Sequence, residues 1–374
     1  MLSILGSRHY TSSEIVEQER AHIFRRLWIL AGFRTLLAKP DAFLTRTIGG
    51  VPVVVQNCGG ELRAFVNQCA HRQAPLQLED YGHRRLACPY HGWVYDHEGR
   101  VKGIPGCDEN YGFPAETIRE LGLRRVALRC VGNLVFVNVH ANPLPIESQF
   151  HAQYLQRIEE VSQYIDSEAI FAKFRGRYNW KLNFENVLDY NHVPYMHAST
   201  FAQMIPTLRT DPGRVRTRSL PPPPDIDISG DIRDLSYETQ SAFDFPIWSW
   251  HDRIERFSDA NTYYNFFIYP NVNFISLAAT TFLTQQFSPV NAGETEVALT
   301  MTTARKRKKL PASPAILWSH LKSEKRVINE DIVVLEALQR GLFDGGLPAF
   351  HGSCETRLRA MAKVYRHLLD DGCS

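Results

Sequence analysis

Two short segments, Cys69-Ala70-His71 and Cys88-Pro89-Tyr90-His91, constrain this chain more than any other feature. Each supplies one thiol and one imidazole, and sixteen residues separate His71 from Cys88. A two-iron, two-sulfide cluster with two thiolates on one iron and two neutral imidazoles on the other needs this set. Replacing anionic sulfurs by imidazoles removes negative charge and raises the potential. Zinc is the chief competitor, but zinc fingers pair Cys with Cys and then His with His. Here each loop gives one of each, the pattern of two β-loops closing on a cluster from either side. The chain is expected to handle single electrons.

The surrounding texture agrees. From about residue 40 to 140 the sequence reads as short strands and glycine turns. Residues 51–56 and 62–67 flank Gly59-Gly60 and lead into Cys69. Residues 93–96 and 101–104 flank Gly99 just after His91, and 124–130 and 134–139 flank Gly132-Asn133. Asn142-Pro143 and Pro145 mark the end of this part. Ahead of it, Thr11-Ser12-Ser13-Glu14 reads as a capping box opening an amphipathic helix that carries Ile15, Ile23, Phe24, Leu27 and Trp28. Behind it the periodicity predicts a helix over 150–165, a strand over 171–182, and antiparallel strands over 262–268, 274–279, 281–287 and 296–302. A long helix is expected from Ser313-Pro314 to Gln339, and a last one over 355–369. Pro221–Pro224 and the run Arg305–Lys309 read as surface connections.

A second constellation runs from Asn183 to His197, with two His among carboxylates and amides. Iron(II) that must bind O2 is best held by two His and one carboxylate, leaving other positions open. His192 and His197 are the candidate nitrogens. Five residues on a regular helix turn the two rings well away from each other, by about 140°. Pro194 between them should disturb the helix and permit convergence. The third ligand must come from elsewhere. Asp331 has Val327, Ile328, Val334 and Leu335 at helical spacing, whereas Glu330 has Arg326. A carboxylate on an apolar face is costly unless paired or metal-bound, so Asp331 is the expected ligand and Glu330 the alternative.

With Asn179-Trp180-Lys181 just before the His pair, these motifs resemble the alpha subunits of Rieske non-haem iron oxygenases, the ring-hydroxylating family, over nearly the whole chain. No extra Cys flanks the ligand loops, unlike the cytochrome bc type. The resemblance implies an α+β fold. An all-β Rieske [2Fe–2S] domain over 40–145 follows an N-terminal helical segment, 1–39, that packs on the catalytic domain. That domain, 146–374, has an antiparallel sheet flanked by helices. Cys69, His71, Cys88 and His91 would hold the cluster, and His192, His197 and Asp331 a mononuclear Fe(II). Asp189 would link His192 to a cluster His across a subunit boundary of a head-to-tail homotrimer, and Asn186 would lie near the iron. Tyr190 stands two places before the first iron His, where the family usually has Tyr directly before it. The implied activity is O2-dependent hydroxylation of an aromatic or other small organic substrate. Oxidative N- or O-demethylation or quaternary-amine oxidation is the runner-up. A plain Rieske electron carrier is the alternative of another class, needing only about the first 150 residues.

Composition narrows the partners. A net charge of +2 implies no nucleic-acid affinity, and no stretch approaches a membrane span. No secretory signal is visible, and Cys58, Cys107, Cys130, Cys354 and Cys373 show no framework pattern. Reduced thiols in a cytoplasmic protein are expected. No Gly-x-Gly-x-x-Gly follows a strand, so an NAD(P)H-dependent reductase is expected as a separate partner, with or without a ferredoxin. The homotrimer is expected with or without a small beta subunit. Phe201, Met204, Tyr263, Phe266, Phe267, Phe274 and Phe282 are candidates for an apolar cavity, and Trp248 with Trp250 for an aromatic cage.

Overall fold

The computed structural model describes residues 2–205, 230–343, 346, 349–353 and 355–370. The segment with Pro221–Pro224, together with Cys354 and Cys373, lies outside the described residues. The chain divides into two compact units, Arg20–Ile146 and Met1–Glu19 with Glu147–Ser374. It opens with two short helices of the second unit, α1 (Arg8–Thr11) and α2 (Ser13–Glu19). The break between them is Ser12, which is extended, and Thr11 Oγ1 donates back to the Ser7 carbonyl. Helix therefore precedes the expected capping box.

The first unit is a seven-stranded antiparallel sheet in the order β1-β9-β8-β4-β3-β2-β5. Its strands are β1 (Ile29–Phe33), β2 (Ala42–Ile48), β3 (Val51–Cys58), β4 (Glu61–Val66), β5 (Tyr81–His83), β8 (Arg125–Val131) and β9 (Leu134–Asn138). A separate ribbon pairs β6 (Val94–Tyr95) with β7 (Val101–Gly103), and helix α3 (Ala115–Glu120) follows it. The run Val53-Val54-Val55 suits a buried strand, and Gly59 and Gly60, with φ +68° and +104°, take the turn into β4. Residues 20–39, expected with the catalytic part, belong here instead. Ile29 pairs with Val137 of β9, and Trp28 Nε1 donates to the Leu144 carbonyl at 2.8 Å. The reason is edge pairing: residues 29–33 complete the sheet beside β9.

The second unit is built on a six-stranded antiparallel sheet ordered β10-β15-β14-β13-β12-β11. The strands are β10 (Ile165–Gly176), β11 (Glu238–Ala242), β12 (Thr262–Ile268), β13 (Val272–Leu277), β14 (Thr281–Asn291) and β15 (Glu294–Ala304). Around it lie α4 (Ala152–Ser162), α5 (Trp180–Leu188), the one-turn α6 (Val193–Met196), α7 (Ser313–Gly341) and α8 (Thr356–Asp370). Phe266, Phe274 and Phe282 stack at 5.4 and 5.8 Å between ring centroids, fully buried. With the buried Phe267 they are core, not cavity wall. Helix α7 starts at Ser313-Pro314 as expected and buries Leu317, Leu321, Ile328 and Leu335 on one stripe. No described helix is long and apolar enough to cross a membrane.

The expected strand over 171–182 ends early, at Gly176, and residues 180–182 begin α5. Asn179 explains the switch. Its side chain accepts from Lys181 N at 3.1 Å, and its amide donates to the Ala292 carbonyl at 2.9 Å. Lys181 and Glu19 are fully buried and form an ion pair. Glu19 also accepts from Trp180 Nε1 at 2.8 Å and from Tyr365 Oη at 2.5 Å. Burial pulls the Lys181 ammonium below its usual range, and Glu19 opposes that pull. Lys181→Ala strands the Glu19 carboxylate in the core, at an expected cost of about 3–5 kcal/mol. A urea melt should show the midpoint fall, and Glu19→Gln added to Lys181→Ala should recover part of the loss. An unchanged midpoint would show that the pair does not hold α2 in place.

Candidate metal centres

In the first unit the two Cys–His segments fold into the same loop twice. Cys69 N donates to the Ala74 carbonyl, and Cys88 N to that of Trp93, both at 2.8 Å. Each loop needs one left-handed residue: Gln73, with φ +60°, and Gly92, with φ +73°. A side chain at Gly92 would also meet Pro105, 3.1 Å from the added Cβ. Both thiols are buried within the core cluster that holds Phe65, Trp93 and Tyr95, whereas His71 and His91 are half-exposed.

The ring atoms converge. His71 Nδ1 and His91 Nδ1 are 3.2 Å apart, a separation natural for two nitrogens on one metal with bonds of about 2 Å. Trp93 stacks on His71 at 5.0 Å and fixes its plane. Burial lowers the His71 pKa, helped by His91 and Arg72, which favours the neutral ligand form. Burial likewise pushes the Cys69 thiol up. The Tyr95 hydroxyl accepts from Ala70 N at 2.9 Å and lies 3.0 Å from Cys69 Sγ, to which it would donate once that sulfur is a thiolate. A hydrogen bond to a ligand sulfur is one way a protein sets cluster potential. Tyr95 belongs to no motif, and its one signal in sequence is that it alternates with Trp93 just after His91; both are buried.

In the second unit, His192 and His197 bracket α6, with Pro194 in its first turn. His197 leaves helical geometry at φ −102°, ψ 25°, and the rings lie 5.2 Å apart. Asp331 comes from the middle of α7. Ligand atoms of His192, His197 and Asp331 all lie within 4.8 Å of one another. Asp331 Oδ1 is 3.1 Å from His197 Nε2 and 3.9 Å from His192 Nε2. One metal with bonds of about 2 Å spans such gaps.

Each imidazole has a carboxylate behind it. His192 Nδ1 faces Asp189 Oδ2 at 3.3 Å, and His197 Nδ1 faces Glu330 Oε2 at 2.7 Å. Carboxylates only accept, so each ring carries its proton on Nδ1 and turns the Nε2 lone pair towards Asp331. Asp331 Oδ1 is buried and makes no well-aligned hydrogen bond, with His197 Nε2 3.1 Å away. A buried, unsatisfied carboxylate oxygen facing two imidazole lone pairs fits a cation. Burial disfavours charge on His197, but Asp331 and Glu330 outweigh it and raise its pKa. The proton that this favours would add to Nε2, facing Asp331, and a metal bound there would displace it while the Nδ1 proton stays directed at Glu330.

Glu330, the alternative ligand, thus stands behind His197 and not among the converging ligand atoms. Thr200 Oγ1 also donates to it at 2.6 Å. Burial works to raise its carboxyl, but the bonds from Thr200 and His197 hold it below the usual range. At Asp189 burial is likewise outweighed, by His192 and by Asn191 N, which donates to Oδ1 at 2.7 Å. Asn186 sits on the last turn of α5, and its carbonyl accepts from Asp189 N at 3.2 Å. Beside the His pair, Phe201 lies 6.4 Å from the His197 ring, 5.0 Å from Tyr263 and 5.3 Å from Phe243. Trp248 is 52% exposed, while Trp250 packs on His251 at 4.2 Å, so the two serve different surroundings.

A β-sheet unit with paired Cys–His loops and a sheet-and-helix unit with two His and a carboxylate define a protein with two kinds of metal centre. Residues 28–124 match the Rieske [2Fe-2S] domain, and residues 172–371 match the catalytic domain of the ring hydroxylating alpha subunit. The chain belongs to the ring-hydroxylating alpha-subunit family, and with its domains come a Rieske cluster and a mononuclear iron.

Similar proteins include the biphenyl 2,3-dioxygenase alpha subunit of Rhodococcus jostii (strain RHA1), 31% identical over 59% of this chain and 47% of that protein. The carnitine monooxygenase oxygenase subunit of Acinetobacter pittii (strain PHEA-2) is 30% identical over 50% of this chain and 51% of its own length. The matched stretch thus spans about half of these curated relatives. Among solved structures, a quaternary ammonium Rieske monooxygenase superposes with TM-score 0.71 at 18% identity, covering 98% of this chain and 94% of that one. Naphthalene 1,2-dioxygenase from Rhodococcus sp. gives 0.69 at 16%, covering 98% and 94%. At such identities these structures show a shared fold.

Proposed function

We propose that the chain is a terminal oxygenase component that uses O2 to hydroxylate an aromatic or other small organic substrate. The observation that carries this reading is the convergence of His192, His197 and Asp331, each ring backed by a carboxylate, in a chain that also holds a Rieske ligand set. A bare electron carrier has no use for the second set. When bound, a Rieske cluster passes single electrons and a ferrous ion on two His and one carboxylate binds O2. The residues' part is to orient and to keep charge in place. Cys69, His71, Cys88 and His91 hold the cluster, and Asp189 and Glu330 fix the ring tautomers of the iron ligands.

Electrons come from a separate NAD(P)H-dependent reductase, directly or through a ferredoxin, in a cytoplasmic homotrimer with or without a small beta subunit. Asp189 is the link between subunits in this reading. Its side chain is 23% exposed, leaving room for a second imidazole donor from a neighbour. Asp189→Asn should leave the cluster absorption intact and slow substrate oxidation at least about tenfold. Steady-state turnover with a surrogate reductase checks it, and wild-type rates would count against the bridge. The reading as a whole is tested by substrate-dependent O2 uptake across an aromatic and amine panel. Reductant-driven uptake that no substrate couples to product would contradict it.

A further inference from the structure

Between β11 and β12 the chain puts out a short tip. Pro246, Ile247, Trp248 and Ser249 are exposed in succession. Ile247 is 87% exposed, the most of any large apolar side chain among the described residues, and Trp248 is 52% exposed. The tip is pinned at both ends. At one, Phe245 is buried, its N donates to Asn261 Oδ1 at 3.3 Å, and its carbonyl accepts from Asn261 Nδ2 at 3.1 Å. At the other, His251 is buried and its N donates to the Trp248 carbonyl at 3.0 Å. Apolar residues exposed singly are ordinary, but two adjacent ones held out on a pinned turn point to an interaction.

Cations stand at the base of the tip. One 3-10 turn, Ser249–Arg253, about 10 Å long, leads from it to Arg253. The Arg253 carbonyl accepts from Arg307 N and Lys308 N at 3.0 and 3.2 Å, and its guanidinium donates to the Lys309 carbonyl at 2.9 Å. The basic run is thereby fastened beside the tip. Its first two members are neutralised, Arg305 by Glu255 at 2.8 Å and Lys306 by Glu168 at 2.5 Å. Arg253, Arg307, Lys308 and Lys309 are exposed and have no carboxylate partner among the described residues. Asp244 and Asp252 are the acids flanking the tip, so positive charge prevails.

Charge decides what the tip fits. A second copy would bring like charges together. An acidic protein would answer the cations, but a projecting Ile–Trp pair would need a matching cavity in it. An anionic lipid surface attracts cations that lie within about a Debye length, and its headgroup boundary takes up Trp and Ile without a shaped pocket.

We propose that the 246–249 tip, with Arg253, Arg307, Lys308 and Lys309 at its base, docks the protein on an anionic lipid surface. The tip enters the headgroup boundary and is far too short to span. Inward from the tip, Phe245 lies 6.4 Å from Phe243, Phe243 5.3 Å from Phe201, and Phe201 6.4 Å from the His197 ring. Docking thus sets the candidate iron site beside the phase in which apolar substrates dissolve. That consequence rests on the oxygenase reading, whereas the docking itself is measured without turnover.

The test is co-sedimentation of the cofactor-loaded protein with two kinds of vesicle, phosphatidylcholine alone and phosphatidylcholine with about one third phosphatidylglycerol. The mixed vesicles should bind about tenfold or more tighter. Ile247→Ser with Trp248→Ser, and separately Lys308→Glu with Lys309→Glu, should each weaken that binding about tenfold or more, with iron content and cluster absorption unchanged. Equal binding to the two vesicles, no binding to either, or binding that survives either double variant overturns the proposal. Polyglutamate that outcompetes the mixed vesicles and ignores the change at Ile247 and Trp248 assigns the patch to an acidic protein and overturns it too. Vesicle binding as expected, without O2 uptake on any compound, keeps the docking and removes the oxygenase reading.

Discussion

Asp331→Ala is expected to empty the mononuclear site and abolish substrate-coupled O2 uptake, while the visible spectrum of the cluster stays as it is. In the proposed reading three ligands would hold this ion, and Asp331 would supply the only anionic one. Its Oδ1 lies 3.1 Å from His197 Nε2, is buried, and makes no well-aligned hydrogen bond. Alanine leaves two neutral nitrogens, and retention of a divalent ion by two imidazoles is weak. Metal chemistry is worth several kcal/mol of barrier, so the rate should fall about a thousandfold or more. Asp331 faces His197 Nε2 at 3.1 Å and raises its pKa, so the metal-free variant loses that attraction and should melt slightly lower, most visibly at acidic pH where His197 is charged. Iron analysis beside a thermal melt separates the two effects. Iron content equal to wild type would show that Asp331 is no ligand and return attention to Glu330.

Cys69→Ser gives the reciprocal loss. The serine hydroxyl is a poor ligand for iron, so the reddish absorption of the cluster should vanish. Cys69 is also 2% exposed in a core with Phe65, Trp93 and Leu76, so the variant loses packing around an empty loop. The front unit should therefore melt earlier, whereas iron bound by His192, His197 and Asp331 should remain. Optical spectra with iron analysis of the same sample check both halves. A surviving cluster spectrum would remove Cys69 from the ligand set.

Much of this was legible in sequence because the chemistry is local there. One Cys and one His within a few residues fix each loop, and Gly59-Gly60, Gly99 and Gly132 fix the hairpins between them. Asp331 stood out because its helical neighbours are apolar. What escaped depends on residues far apart in the chain. Glu330 meets His197 across 133 positions and Glu19 meets Lys181 across 162, so periodicity on either side says nothing of the partner. Residues 171–182 read as one aromatic strand because Trp180 and Leu182 suit a strand as well as a helix. Only the Asn179 cap, made with its backbone neighbours, ends it. Residues 20–39 look helical and apolar, and only pairing with β9 shows which sheet takes residues 29–33. Of the aromatic cavity candidates, Phe201 and Tyr263 stand beside the His pair while Phe266, Phe267, Phe274 and Phe282 are core, a division that residue type does not show.

The central claim is that one polypeptide holds both a cluster and a lone iron. Iron and acid-labile sulfide counted per chain after anaerobic reconstitution measure this directly. About three irons and two sulfides per chain are expected. Two irons with two sulfides, or zinc in place of either, would contradict it.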